Sequence, residues 1–194
     1  MDYYIWSTER NSLYCTLDRV PDGNQAMFRA RLGRPMGADY PEPLPFPMSP
    51  DLGGIKVAEL VRNTLGYYIV GPAVHAVLAN ESGASFEFLP IDIINRKGRR
   101  EEATRWIANL LGDPVVCADL SKSVMREMPL KKGRYSSLQR LVLDARRIDP
   151  SLKIFRLGEM PHLFIVRDDL RAALAASGAT AMQFHAMGDP VMFD

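Results

Sequence analysis

Tyr67-Tyr68-Ile69-Val70 and Leu163-Phe164-Ile165-Val166 stand 96 positions apart, and each opens a segment that repeats the pattern of the other. The first continues through Gly71–Asn80, Ser82-Gly83-Ala84-Ser85 and Phe86-Glu87-Phe88; the second through Arg167–Ala176, Ser177-Gly178-Ala179-Thr180 and Met182-Gln183-Phe184. Val74 aligns with Leu170, Ala76 with Ala172 and Leu78 with Leu174, with Glu81 extra in the first copy and Ala181 in the second. Each copy reads as an apolar strand, a helix of about two and a half turns, a Ser-Gly stop in the left-handed conformation, and a second strand. Pro72 suits a first helical turn, while Asp168 and Asp169 suit the positive end of a helix. Ordinary α/β packing produces similar patterns by chance, yet the shared Ile-Val and Ser-Gly-Ala-Ser/Thr favour a duplication. The expected fold class is α+β, with the units at 67–88 and 163–184 forming a mixed sheet covered by helices.

Upstream, Tyr3–Trp6, Ser12–Leu17 and Gln25–Ala30 read as strands of a small antiparallel meander, with Pro21-Asp22-Gly23-Asn24 as turn chemistry. Gly33 to Gly54 then holds six of the fourteen prolines. Pro41-Glu42-Pro43-Leu44-Pro45-Phe46-Pro47 is expected to be extended and stiff, because each ring fixes φ and disfavours helix in the preceding residue. Two readings stand: an ordered surface loop with Leu44 and Phe46 tucked onto the body, or a polyproline ligand for an SH3-like domain. The expected organisation is a meander and proline-rich loop over 1–54, packed on a main domain at 55–194. In that domain, Val57, Leu60, Val61 and Leu65 predict a helix over Ile55–Leu65 stopped by Gly66. Ala103, Trp106, Ile107, Leu110 and Leu111 fit helical spacing better than alternation and predict a second helix over Glu101–Leu111. Val115–Cys117, Leu138–Leu143, Ile154–Leu157 and Leu163–Val166 are short β-type segments.

The composition, 47% hydrophobic and 24% charged over 194 residues, is that of a well-cored globular chain and excludes collagen, coiled coil and low-complexity disorder. The apolar run Leu65–Leu78 is broken by Gly66, Gly71, Pro72 and His75, so no membrane span is expected. Met1–Trp6 lacks a basic leader, and Cys15 and Cys117 read as reduced thiols, which together predict a cytoplasmic protein. A net charge of +1 gives no reason to expect nucleic acid or membrane as a partner. That total hides an uneven distribution. Arg96 to Lys153 carries 14 Lys and Arg against 7 Asp and Glu, and the rest of the chain 10 against 16. Arg96-Lys97-Gly98-Arg99-Arg100 and Lys131-Lys132-Gly133-Arg134 sit in Gly-containing turns; they read either as solvated loops or as a basic patch facing an acidic partner.

Catalytic chemistry is hard to place. Phosphate-binding glycine loops, a Gly-x-Ser-x-Gly elbow and a His-Glu-x-x-His motif are all missing from the sequence. His75, among Val74, Ala76 and Val77, reads as a structural helix residue. His162 and His185 with Asp189 offer a two-His-one-carboxylate alternative, and Cys117 a nucleophile alternative that needs a base or helix N-terminus beside it. The competing reading packs Cys117 inward and uses Asp119 and Ser121 to organise the turn. Glu101-Glu102 and Asp168-Asp169 are adjacent pairs, about 100° apart on a helix, and unsuited to shared acid–base work. No catalytic residue, metal or cofactor is expected.

Three pieces in order carry a family resemblance: Phe88-Leu89-Pro90-Ile91-Asp92-Ile93 with Gly98; Trp106–Asn109 running to Val116-Cys117-Ala118-Asp119-Leu120-Ser121; and Ile154-Phe155-Arg156-Leu157 leading through Leu163–Val166 to Gly178 and Met182-Gln183-Phe184. Over Gly66 to His185 the chain resembles a bacterial family, of myxobacterial type, once known as a domain of unknown function and now assigned to the immunity proteins of polymorphic-toxin systems. Pro90, Asp119, Ser121, Gly178 and Phe184 carry its soft motif; Ala181 departs from it where a second glycine is expected. The resemblance implies a non-enzymatic protein that binds and neutralises a toxin encoded beside it. Such binding asks for roughly 1,600 Å² of interface with aromatic or Arg anchors. The candidates are Arg96, Lys97, Arg99 and Arg100 in the basic stretch, with Tyr40 and Phe46 in the stiff loop. The alternatives left open are a small hydrolase or transferase using Cys117 or His162/His185, and an adaptor presenting the proline-rich loop.

Overall fold

The computed structural model describes residues 2–21, 27–40 and 44–193. It is an α+β structure made mostly of strands, and both 96-residue-spaced segments form a strand, a helix and a strand. In the first, β5 (Ile69–Val70) leads into α2 (Pro72–Glu81) and β6 (Phe86–Ile94). In the second, β11 (Phe164–Arg167) leads into α3 (Asp168–Ala176) and β12 (Met182–Ala186). The two units share a topology. β5 and β6 both run antiparallel to β7 (Arg105–Leu110), which lies between them. β11 and β12 both run antiparallel to β1 (Tyr3–Thr8), which again lies between them. Each unit is therefore a split strand–helix–strand with a foreign antiparallel strand in the gap.

The expected single mixed sheet is replaced by two sheets. The first unit is built into a closed barrel of order β2 (Cys15–Leu17), β3 (Leu44–Gly53), β6, β7, β5 and β4 (Leu60–Asn63). The second belongs to a four-stranded antiparallel sheet of order β10 (Ile154–Arg156), β11, β1 and β12. A third element, the hairpin of β8 (Val124–Met128) and β9 (Lys131–Arg140), pairs only with itself apart from a bridge between Leu138 and Phe193. Among the described residues of 1–54 the strands do not form a meander of their own: β1 enters the four-stranded sheet, while β2 and β3 help to close the barrel. The described part of Gln25–Ala30 contributes only a single turn, α1 (Phe28–Arg31); the rest of that segment, and 22–24 of the expected turn, lie outside the described residues.

Three apolar clusters fill the fold. One occupies the barrel interior around Leu17, Phe46, Ile69, Ile93 and Ile107. The second lies between barrel and sheet, where Leu60, Val70 and Leu110 meet Trp6, Phe164 and Val166 and both helices insert Val74, Leu78, Leu170 and Leu174. The third covers the other face of the four-stranded sheet. Alternation along β1 divides its side chains accordingly, with Trp6 facing the helices and Tyr3 and Ile5 the third cluster.

The units meet through equivalent residues. Tyr68 and Phe164, exactly the pair related by the 96-residue spacing, stack at 3.8 Å with rings 5° from parallel, and the Phe164 N–H donates to the Tyr68 hydroxyl. Contact between a residue and its own counterpart is what a twofold relation produces. The helix ends also match. Ser82 donates to Leu78 O and accepts from Ala84 N–H; Ser177 donates to Leu174 O and accepts from Ala179 N–H. Gly83 and Gly178 follow with φ of +65° and +72°, the left-handed turn that stops each helix.

Both other predicted helices are strands. Ile55–Leu65 contains β4, and Glu101–Leu111 contains β7. Their apolar residues lack alternation because each strand is buried on two sides: Val61 and Ile107 in the barrel interior, Leu60, Ala108 and Leu110 against the helix layer. The stiff loop is also a strand from Leu44 onward, while 41–43 lie outside the described residues. Leu44, Phe46 and Met48 point inward and Pro45 and Pro50 outward. A strand donates toward a given neighbour from every second residue, so Pro45 and Pro47, two apart, leave the donors of Leu44, Phe46 and Met48 intact. β3 runs parallel to β6 from Leu44↔Ile91 to Pro47↔Ile94, while its contacts with β2 come later, at Met48 and Gly53.

Candidate partner-binding surface

The turn after β6 holds the predicted basic cluster. Asn95 Oδ1 accepts the backbone N–H groups of Lys97 at 2.9 Å and Arg99 at 3.1 Å, which fixes the turn from within. Its four cations have different roles. Arg96 donates to the carbonyls of Ser49, Leu52 and Gly53 and so fastens the end of β3. Arg100 pairs with Asp92 at 2.8 Å. Lys97 and Arg99 are exposed, and among the described residues their side chains have no partner. Their charge is free to meet another molecule.

Tyr40 and Phe46 are placed elsewhere than expected. Phe46 is 0% exposed inside the barrel, and Tyr40 is buried with its hydroxyl donating to Pro90 O. Strand alternation turns Phe46 inward, as the tucked-in reading of the loop expects, and neither ring is presented at the surface in this fold. Of the motif residues, Pro90 thus receives Tyr40, and Phe184 stacks on Trp6 with ring centroids 6.4 Å apart. Asp119 accepts from the Ser121 hydroxyl at 2.6 Å and pairs with Lys122 at 2.8 Å. Those bonds hold the Asp119 carboxyl down at about 2, first through Lys122 and then Ser121. The Asp119–Ser121 motif is turn architecture.

The nucleophile alternative fails on burial. Cys117 is 0% exposed, and desolvation, reinforced by Glu159, pushes its thiol up to about 12. Neutral and enclosed, it packs as a small apolar side chain. His75 lies between Phe88 and Trp106, with ring centroids 4.1 and 4.5 Å away. His162 is brought down to about 4, chiefly by burial and further by Arg31 and Arg156. His185 shares a 3.0 Å hydrogen bond with Ser7, joining β12 to β1. Among the described residues no group of three His, Cys, Asp or Glu side chains is placed to hold a metal ion. No described helix is long and apolar enough to cross a membrane.

Two further surface features take shape only in the fold. One is a cleft of about 550 Å³ lined by Ser7, Arg10, Arg62, Gln183, His185 and Met192 among others. Its arginines have no partner among the described residues, but no carboxylate there hydrogen-bonds His185, so Ser7 and His185 lack the orienting third group of a nucleophilic triad. The other is the β8–β9 hairpin. Lys131-Lys132-Gly133-Arg134, expected in a turn, begins β9, and the turn is the two residues Pro129-Leu130 before it. Leu130 is 96% exposed.

Buried thiols, structural imidazoles and free cations at exposed turns describe a protein whose accessible chemistry is on its outer surface. The class is that of immunity proteins, whose family model matches residues 8–189. The chain belongs to that family, Imm11. No curated protein matches it significantly.

Proposed function

We propose that this chain is a non-enzymatic bacterial immunity protein that acts in the cytoplasm by binding and neutralising a toxin encoded beside its own gene. The single observation that carries this reading is the family match from residue 8 to residue 189, which covers the barrel, the hairpin and every strand of the four-stranded sheet except most of β1. The surface is consistent with it: the basic stretch of the chain presents unpaired cations at Lys97 and Arg99, while Arg96 and Arg100 frame the same turn. Exposed cations speed capture of an acidic partner more than they raise its affinity. The test is co-purification with the product of the adjacent gene, together with survival of cells expressing that product. Stable complex formation and protection are the expected results; a neighbour product that neither binds nor is neutralised overturns the reading.

A further inference from the structure

The β8–β9 hairpin is the part of the molecule least explained by its own fold. Its base is anchored, with Leu138 at 0% exposure and Met125 and Tyr135 packed against the third cluster. Its tip is not. Met128 and Leu130 are 36% and 96% exposed; at the opposite, open end of the hairpin Val124 is 42% exposed, and Val116 and Leu120, before it in the chain, are 60% and 55% exposed. Five of the eleven large exposed apolar side chains among the described residues thus fall between positions 116 and 130. Around the tip, Arg126, Lys131 and Lys132 are exposed, and the two lysines have no side-chain partner among the described residues. The one acidic residue there, Glu127, is used internally, accepting the Gly133 N–H at 2.7 Å.

Met128 and the almost wholly exposed Leu130, beside the unpaired Lys131 and Lys132, give the tip the apolar centre and charged rim of a contact surface. We propose that the hairpin tip is the anchor by which this protein grips its toxin: Leu130 enters an apolar depression on the partner, and Lys131, Lys132 and Arg126 meet carboxylates at its rim. This rests on the immunity reading above. The occupant is the toxin rather than a second copy of this chain, because tip-to-tip pairing would bring two sets of like charges together. A two-stranded ribbon held at its base also projects its tip with little packing to lose on substitution.

The experiment measures binding of the purified neighbouring gene product to the full chain and to three variants: Leu130→Ser, Lys131→Glu/Lys132→Glu, and Lys97→Glu/Arg99→Glu. Leu130→Ser is expected to leave the unfolding temperature unchanged, since that side chain is almost wholly in water, and to weaken binding about 30-fold or more. The hairpin charge reversal is expected to slow association about tenfold at low salt, with the difference shrinking as salt rises. Unchanged binding by both hairpin variants, with wild-type binding intact, overturns the anchor and leaves the immunity reading standing. A larger loss from Lys97→Glu/Arg99→Glu than from Leu130→Ser does the same. A wild-type chain that does not bind the product at all overturns both. Sedimentation of the free chain as a dimer that Leu130→Ser makes monomeric assigns the tip to self-association and also overturns the proposal.

Discussion

Ala181 is the non-glycine residue with positive φ among the described residues, at +63°, and it is only 6% exposed. It is also where the family pattern leads one to expect glycine. The backbone holds it there: Glu9 N–H donates to Ala181 O, and Leu60 N–H donates to the neighbouring Thr180 O. The left-handed conformation costs an alanine about 1–2 kcal/mol. A glycine would relieve that, but would lose about 0.8 kcal/mol of methyl burial and close to 1 kcal/mol of unfolded-state entropy. These terms nearly cancel, so Ala181→Gly is expected within about 0.5 kcal/mol of wild type. Ala118→Gly, at 2% exposure and without positive φ, should lose about 1–2 kcal/mol in the same urea titration. His162 gives a second expectation at this scale. Its ring is held neutral down to about 4, against an ordinary value of 6.5. Between those values the unfolded chain takes up a proton that the folded chain refuses, so stability falls as pH drops from about 6.5 toward 4. The loss should reach about 2–3 kcal/mol. Urea unfolding of His162→Gln at pH 7.5 and pH 4.5 should show a smaller acid loss than wild type; an equal loss would assign the effect to other groups.

Among the elements, α2 has Gly71 at its N-cap, with no side chain to cap it, and Glu59, just before β4, performs that task. Its Oε2 accepts the Ala73 N–H at 3.0 Å, and its carboxylate lies 3.7 Å from the buried Arg105. Glu59→Ala should therefore cost about 1–2 kcal/mol and speed exchange of the Ala73 amide, whereas Glu59→Gln keeps the acceptor and should cost about half as much. A cap supplied from a distant strand was not legible in the sequence, but the helix itself was. α2 and α3 could be read because apolar residues recur at helical spacing between a first-turn Pro or Asp and a Ser-Gly stop, and those signals are local. β4 and β7 were not legible, because burial on both sides erases the alternation that identifies a strand. The same distinction holds for the surface. Lys97 and Arg99 were visible because a charged turn announces itself, while the exposure of Leu130 depends on how far a hairpin projects. Phe46 was read as a partner anchor for the opposite reason, since prolines suggested a loop where the barrel made a strand.

On the scale of the whole molecule, the barrel and the four-stranded sheet must be held as one body, and Arg156 joins the Tyr68 hydroxyl in tying them. It leaves β10, is 3% exposed, and has no carboxylate partner among the described residues. Its guanidinium instead donates to Leu110 O of β7, Ala30 O and Arg31 O of α1, and Pro161 O, each at 3.0 Å, and to Asn109 Oδ1 at 3.4 Å. It also lies 4.7 Å from the centroid of Phe164, whose ring stacks on Tyr68. The stack thus passes from the sheet's arginine through Phe164 to the barrel's tyrosine. Burial lowers the guanidinium to about 10, which still leaves it charged at neutral pH, and only the planar fork with five N–H groups serves so many acceptors at once. Gly33 is part of the same joint: at φ +74°, an added Cβ would come within 2.7 Å of Leu110 O and 2.9 Å of Arg156 Nε. Arg156→Met fills the volume but leaves buried carbonyls without donors, and each such group costs about 1–3 kcal/mol. Because the loop carbonyls can turn toward water, the total should be about 3–5 kcal/mol rather than their full sum. For a chain of this size that corresponds to a fall of roughly 6–20 °C in Tm. Arg156→Lys keeps the charge with three donors in a different geometry and should recover less than half of the loss. Calorimetry of the two variants decides the point. A full recovery by lysine would mean that charge alone holds the joint, and a loss under about 1 kcal/mol would mean that the two sheets cohere through their apolar seam without it.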